Sequence, residues 1–321
     1  MTDMQKPYPN ISVPQRADIE AAAARILGRV RVTPVVQPGA GFSAGGAEVF
    51  LKLECLQHSG SFKPRGAFNR VLAETRLPDS GLIAASGGNH GAAVAYVARE
   101  LGLQAEIFVP EIAGPAKIAR LRDYGAKLRI GGRDYAEALA ASRIRQAETG
   151  ALSIHAYDEF AVVAGQGTLA RELEHQCGEL DSILVAVGGG GLIAGVASWY
   201  AHGPRIVAVE PQRSRALNAA LALGEPCDVD VGGVAADSLG ARRVGDIAFQ
   251  VAHARGLTSV LVDDEAIVAA QRLLWSQLRV VAEPGGAAAL AALLSGAYVP
   301  QPGERVAVIV CGANTDPGLV A

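Results

Sequence analysis

The sequence predicts an α/β protein in which a parallel sheet is covered by helices on both faces. Three observations carry that prediction. Short apolar runs rich in β-branched residues recur along the chain. Alanine-rich stretches of helical character alternate with them. Several of those stretches are followed by a glycine, the residue that most readily takes the left-handed turn closing a helix. Near-continuous apolar strands alternating with helices belong to sheets buried on both sides. The 321 residues, half of them hydrophobic, suffice for roughly two domains.

The predicted strands are Val49–Leu53, Leu82–Ala85, Ala105–Val109, Ile183–Val187, Ile206–Val209, Val260–Val262 and Val306–Val310. The predicted helices are Asp18–Leu27, Ala92–Leu101, Ala116–Tyr124, Tyr135–Ala147, Leu169–Gln176, Ile193–Tyr200 and Glu265–Leu278, with a further one opening at Lys63 and running through Phe68. Gly28, Gly102, Gly125, Gly178 and Gly203 follow last turns, and Asp263 and Asp264 sit where an N-cap belongs. There is no repeat, low-complexity tract or linker, so a second domain has to arise by excursion and return of the chain.

Net charge is −3 and the isoelectric point about 6.1, which argues against a nucleic-acid or anionic-membrane partner. Cys55, Cys177, Cys227 and Cys311 form no CxxC pair, which fits a reducing cytoplasm better than a disulfide framework. The start, Met1 to Ile11, is polar and has no apolar signal core, so export is not expected. Ser182 to Pro204 lacks formal charge over a length that could cross a bilayer. Four consecutive glycines in its middle would break such a helix, so a buried strand, loop and helix are expected.

Three loops ask for a chemical reason. In Ser59-Gly60-Ser61-Phe62-Lys63-Pro64-Arg65-Gly66, small residues let the backbone bend closely, and Pro64 suits a first helical turn. A lysine amine held there out of water becomes a nucleophile; the alternative is a solvated lysine at a loop edge. Ser86-Gly87-Gly88-Asn89-His90-Gly91 lies between a strand and a helix, where free amides and side-chain donors suit a carboxylate. Simple helix capping by Ser86 or Asn89 is the alternative, and His90 reads as a packed or capping histidine. Gly188-Gly189-Gly190-Gly191-Leu192 exposes a run of amides before a helix and reads as a phosphate cradle.

That last loop admits a rival. Gly189-x-Gly191-x-x-Ala194 matches a dinucleotide fingerprint, and Glu210 ends the next strand at about the distance of a ribose-binding acid. An NAD-dependent oxidoreductase would follow, although it leaves the first two loops without a purpose.

A lysine amine, a phosphate cradle and a carboxylate-binding loop together suit pyridoxal phosphate with an amino-acid substrate. Ser61-Phe62-Lys63-Pro64-Arg65-Gly66-Ala67 resembles the cofactor-lysine motif of the serine/threonine dehydratase family, the fold-type II pyridoxal-phosphate enzymes. Ser86–Gly91, Gly188–Leu192, Glu283-Pro284-Gly285-Gly286-Ala287 and Cys311-Gly312-Ala313-Asn314 resemble its later motifs in the same order. The resemblance runs from about Arg31 to Asp316.

It implies roles for the matching residues. Lys63 would anchor the cofactor and take the Cα proton. Phe62 would pack beside the ring, and Asn89 would hydrogen-bond its phenolic oxygen. Ser86, Gly87, Asn89 and His90 would hold the substrate carboxylate. Gly188, Gly189, Gly190, Gly191 and Leu192 would bind phosphate. Cys311 would face the pyridine nitrogen, and Glu283 would sit near the cofactor. A neutral Cys311 thiol leaves the ring a weaker electron sink than a carboxylate would, which favours prompt loss of a β-hydroxyl; the alternative is a buried inert cysteine.

The implied activity is an ammonia-lyase that dehydrates L-serine, L-threonine or a larger analogue such as an arylserine or hydroxyaspartate. A racemase of the same fold is the alternative. Family racemases carry a serine as second base where this chain has Gly87. Glu210 matches one ligand of a divalent-cation site found in relatives, but the acid expected six residues on is Ala216, which leaves a weak site. Cysteine-making relatives match less well around Lys63 and Asn89. The chain ends soon after Asp316, so the regulatory domain of biosynthetic threonine dehydratases is not expected. The implied fold has two domains, each a twisted, mostly parallel sheet flanked by helices. Residues 1–54 and 156–321 would form the large cofactor-binding domain, and 55–155 a small mobile one. A homodimer is the family's usual assembly.

Overall fold

The computed structural model describes residues 11–42 and 45–319; all but Ile11 of the polar start lies outside the described residues. Ten strands form two sheets. They are β1 (Val35–Val36), β2 (Glu48–Lys52), β3 (Leu82–Ala85), β4 (Ala105–Val109), β5 (Lys127–Ile130), β6 (Leu152–Ser153), β7 (Ser182–Ala186), β8 (Arg205–Pro211), β9 (Thr258–Val262) and β10 (Arg305–Ile309). The larger sheet has the order β1-β2-β10-β7-β8-β9, parallel except for β1 against β2. The smaller has the order β5-β4-β3-β6 and is parallel throughout.

The helices are α1 (Arg16–Arg25), α2 (Lys63–Leu72), α3 (Asn89–Glu100), α4 (Pro115–Asp123), α5 (Tyr135–Thr149), α6 (Phe160–Cys177), α7 (Gly191–Trp199), α8 (Ala216–Leu223), α9 (Ala236–Leu239), α10 (Asp246–Arg255), α11 (Asp264–Leu278) and α12 (Pro284–Leu294). Every residue of β7 is buried, as expected of a central strand with helices on both faces. One apolar core surrounds the larger sheet, and two further clusters pack the opposite faces of the smaller. Each Val or Leu fully buried in them contributes roughly 1.5–3 kcal/mol.

All seven predicted strands and all eight predicted helices exist, with ends shifted by a few residues or more. Asp263 caps α11 as expected, its carboxylate accepting from the Ala266 amide at 2.8 Å. The largest boundary error is α6, which starts at Phe160 and not Leu169. Gly165 and Gly167 lower helix propensity there, but a Cβ on Gly165 would lie 2.6 Å from the Arg65 carbonyl oxygen, and one on Gly167 2.9 Å from that of Gly195. Close packing against α2 and α7 overrides propensity. The uncharged stretch 182–204 forms β7, the glycine loop and α7. No described helix is long and apolar enough to cross a membrane.

Candidate active site

Strands β2, β10 and β7 are parallel neighbours, so their C-terminal ends open on one side of the larger sheet. The Ser59–Gly66 segment follows β2, Cys311 follows β10 and Gly188–Gly191 follows β7. The crevice outside such strand ends is where open α/β sheets bind ligands.

Lys63 opens α2, with Pro64 in the first turn. Its Nζ donates to the Ala156 carbonyl at 2.7 Å and stands 5.0 Å from the centre of the Phe62 ring. Burial holds this amine down to about 8, and the neighbouring Cys311 and Glu283 oppose the shift. A sizeable neutral fraction therefore exists near pH 7. The helix carrying it is locked from behind. Fully buried Arg65 pairs with Glu54 at 2.8 Å and with Glu172 at 2.7 Å, and Lys52 meets Glu172 at 2.8 Å.

The glycine loop is closed in by its surroundings. A Cβ would lie 3.0 Å from Leu239 Cα at Gly188, 2.2 Å from the Tyr157 ring at Gly189, and 2.7 Å from the Tyr157 carbonyl oxygen at Gly191. Gly190 has φ +93°, and a Cβ there would lie 2.3 Å from that of Ala248. Within the described chain, the amides of Gly188, Gly189 and Gly190 donate no backbone hydrogen bond. Free amides at the start of α7 make a cradle for an anion.

The Ser86–Gly91 loop follows β3 and opens α3. Ser86 Oγ accepts from the Gly88 amide at 3.1 Å. Asn89 Nδ2 donates to Glu283 Oε1, and Asn89 Oδ1 accepts from Asn314 Nδ2, which also donates to the Ser59 carbonyl at 2.8 Å. These bonds draw the asparagine loop, the Ser59–Gly66 segment and the last motif together. Burial raises the Glu283 carboxyl to about 7, against the Asn89 hydrogen bond and the positive Lys117 and Arg120. His90 turns away, its Nε2 bonding the Ile154 carbonyl at 2.9 Å. Burial first, and Lys63 second, lower it to about 3, so the ring is neutral at ordinary pH and only its amide remains for a substrate. Cys311 is buried, with Sγ 3.4 Å from the Gly285 carbonyl oxygen; burial drives its thiol pKa well up and keeps it neutral.

Glu210 lies elsewhere. It is fully buried, and its carboxylate accepts from the amides of Leu217 at 2.8 Å and Asn218 at 2.7 Å, so it caps α8. Among the described residues no group of three or more His, Cys, Asp or Glu could hold a metal ion. The dinucleotide reading fails here too, because the acid meant for a ribose already holds a helix end.

Sequence reasoning missed the segment His155–Glu159, which joins the smaller sheet to α6. Ala156 holds the Lys63 amine, Tyr157 packs on the glycine loop, and Asp158 caps α10 through the amides of Asp246 and Ile247, each at 3.0 Å. It also missed Lys117 and Arg120 on α4. They line a cavity of about 190 Å³ with Gly87, Asn89, Asp237 and Glu283. A wider cavity of about 840 Å³ shares Asn314 and Arg120 with it, and Gly188–Gly191 line neither.

The family model described as pyridoxal-phosphate dependent enzyme matches residues 26–312. The chain belongs to that family. It is 35% identical to a phenylserine dehydratase of Ralstonia pickettii over 97% of this chain and 96% of that protein. It is 36% identical to an L-threonine ammonia-lyase of Geobacter sulfurreducens over 93% of this chain and 75% of that protein. Among solved structures it resembles a serine racemase of maize at a TM-score of 0.90 and 34% identity, covering 96% of this chain and 95% of that one. The residues present fit the cofactor of this pyridoxal-phosphate enzyme. The desolvated Lys63 amine suits its aldehyde, and the undonated amides of Gly188–Gly190 suit its phosphate.

Proposed function

We propose that this chain is a dehydrating ammonia-lyase. It removes water from a β-hydroxy-α-amino acid and yields a 2-oxo acid and ammonia. The observation that carries the reading is the Lys63 amine, desolvated and held on the Ala156 carbonyl, in a site where Gly87 has no side chain to carry a second proton. The named activities of the Ralstonia and Geobacter relatives support it. Likeness to a racemase supports the fold equally, but Gly87 disfavours racemisation.

When bound, pyridoxal phosphate supplies an aldehyde that captures amines and a π-system that draws electrons from the substrate Cα. Lys63 is its anchor and takes the Cα proton, which its lowered basicity allows near neutral pH. The amides of Gly188, Gly189, Gly190, Gly191 and Leu192 hold the phosphate. Phe62 would pack beside the ring, and Asn89, tied to Glu283, would orient its phenolic oxygen. Cys311, kept neutral by burial, would face the pyridine nitrogen and would not stabilise a proton there. Ser86, Gly87, Asn89 and the His90 amide bind the substrate carboxylate at the start of α3. Residues 1–54 and 156–321 would form the large domain that holds the cofactor's phosphate and 55–155 the small mobile domain that closes over the substrate and excludes water, with Lys63 in the cleft between them. A cytoplasmic homodimer completes the proposal, and a monomeric mass by light scattering would remove that part.

The experiment is the visible spectrum of the purified protein before and after adding amino-acid substrates, with ammonia measured alongside. A yellow band that responds to L-serine, L-threonine or a larger analogue as 2-oxo acid appears is the expected result. Lys63→Ala should lose the band and lower turnover by about 10⁴-fold or more. Turnover near wild type in that variant overturns the assignment.

A further inference from the structure

Residues 154–159 run as a strap from β6 to α6 and meet all three loops of the site in turn. The Ile154 carbonyl accepts from His90 Nε2 at 2.9 Å. The Ala156 carbonyl, two residues on, accepts from Lys63 Nζ at 2.7 Å. The Tyr157 ring packs on Gly189, and its backbone packs on Gly191. Glu159 pairs with Arg70 in the last turn of α2, so the strap holds the lysine helix at both ends.

The strap has no strand or helix of its own, and one side chain folds it. His155 Nδ1 accepts from the amides of Tyr157 at 3.3 Å and Asp158 at 2.8 Å, while the His155 amide donates to Glu159 Oε2 at 3.0 Å. The imidazole stands edge-on to the Tyr157 ring, with centres 4.9 Å apart. A ring nitrogen that accepts carries no hydrogen, so the neutral imidazole has its hydrogen on Nε2. Burial lowers the His155 pKa, Asp158 opposes the shift, and Lys63 and Arg143 add to it; the buried His90 ring also lies within its reach. The neutral state is the one the strap needs, because a proton on Nδ1 would face two N–H groups. We propose that His155 is a positioning residue for Lys63, its Nδ1 folding the strap that holds the amine on the Ala156 carbonyl and seats Tyr157 on the glycine loop. It acts through Ala156 and Tyr157. With the strap unfolded, water reaches the amine, and its pKa returns from about 8 towards the ordinary 10.5. The inference rests on Lys63 as cofactor anchor and not on which substrate is dehydrated.

The test compares wild type with His155→Leu, which keeps bulk but loses the acceptor, and with His155→Asn, whose Oδ1 can take the place of Nδ1. Capture of pyridoxal phosphate by the full-length apoprotein is followed against pH by stopped-flow absorbance, with melting temperature alongside. The midpoint, about 8 in wild type, should rise by about one unit or more in His155→Leu, which slows capture at pH 7 by about tenfold. It should stay within about 0.3 unit of wild type in His155→Asn. Lower melting temperatures with both midpoints unmoved would mean a merely structural histidine and overturn the proposal. Equal upward shifts in both variants also overturn it and assign the effect to ring packing on Tyr157. Histidine-selective 15N NMR of wild type at pH 7, with His155 assigned by its loss in His155→Asn, decides the matter should His155→Leu fail to fold. A neutral ring with its hydrogen on Nε2 is expected, and a cationic ring or a hydrogen on Nδ1 overturns the proposal. Failure of wild-type apoprotein to capture the cofactor at any pH overturns the Lys63 reading itself.

Discussion

The two glycine-rich loops of the site are built on opposite principles. Gly188–Gly191 is fixed by space. It follows a fully buried central strand, and a Cβ at any of its four positions would meet atoms at 3.0 Å or less. Ser86–Asn89 is fixed largely by hydrogen bonds, and steric locking begins only at Gly91 inside α3, where a Cβ would lie 2.1 Å from the Ser86 carbonyl oxygen. Ser86 holds the Gly88 amide, and Asn89 is tied to Glu283 and Asn314, which belong to the other sheet's half of the molecule. A Cβ at Gly88 would find nothing nearer than 3.8 Å. Sterically locked backbone has no second arrangement and suits a resident cofactor. Hydrogen bonds made between halves can break and reform, which suits a substrate that enters and leaves.

The largest expected effect comes from breaking the locked loop. Gly190→Ala adds a Cβ 2.3 Å from that of Ala248, a side chain with no rotamer to yield, at a φ of +93°. Overpacking costs about 1–3 kcal/mol and the left-handed backbone about 1–2 kcal/mol more. Cofactor affinity, measured by titrating the apoprotein with pyridoxal phosphate, should weaken by about 100-fold or more. An affinity within threefold of wild type would mean that the loop is not the rigid cradle.

This contrast also separates what the sequence revealed from what it hid. The glycine run and Lys63 stood out as candidates because each lies within a few consecutive residues next to strands with strong apolar signals. The ties of Asn89 to Glu283 and Asn314 join residues about two hundred positions apart, and no local pattern announces them. Lys117 and Arg120 sat unremarked in a predicted helix whose exposed and buried faces only the fold distinguishes. Edge strand β5, Lys127–Ile130, is mostly exposed and lacks the apolar run of the central strands. Helix α12 opens on Pro284-Gly285-Gly286, which reads as a loop. Its glycines are required because Cβ atoms there would lie 2.5 Å from Ser238 Oγ and 2.1 Å from the Gly312 carbonyl oxygen. Glu210 was legible as a strand-end acid, but only its hydrogen bonds to α8 decide between cap and ligand.

The tethered loop should tolerate a gain of function that the locked one would not. A Cβ at Gly87 would meet Ala113 Cβ at 3.1 Å and Val109 Cγ1 at 3.2 Å, so neighbours must give by only a few tenths of an ångström. Gly87→Ser should therefore fold and bind cofactor, and should place a hydroxyl where family racemases carry theirs. Chiral chromatography of L-serine incubations should show D-serine forming at least about tenfold faster than in wild type. Unchanged racemisation with intact cofactor would mean that the missing side chain is not what excludes it.

A smaller effect tests the amine that serves both loops. Capture of pyridoxal phosphate by the apoprotein needs neutral Lys63. Its pKa is held down to about 8, so the neutral fraction rises about fivefold from pH 7 to 8 and levels off above about pH 9. Stopped-flow absorbance should follow that curve. A solvated lysine would instead rise about tenfold per pH unit up to about pH 9 and go on rising to about pH 11. The sign for stability agrees. The folded state binds fewer protons than the unfolded chain between about pH 8 and 10.5, so apoprotein stability rises with pH across that window.

The smallest expected effect sharpens the comparison most. Gly88→Ala puts a methyl group where the nearest atoms are the Asp237 carbonyl oxygen at 3.8 Å and Ser86 Oγ at 3.9 Å, at a φ of −105° that any residue adopts. Neither overlap nor backbone strain follows, in contrast to the same substitution at Gly190. Cofactor affinity and melting temperature should stay within about twofold and about one degree of wild type, as for substitutions away from a strained or packed position. The methyl group does line the 190 Å³ cavity, so any change belongs in KM for the substrate. Loss of cofactor binding in Gly88→Ala would show that the two loops share one rigid framework, and that the division between holding and admitting does not exist.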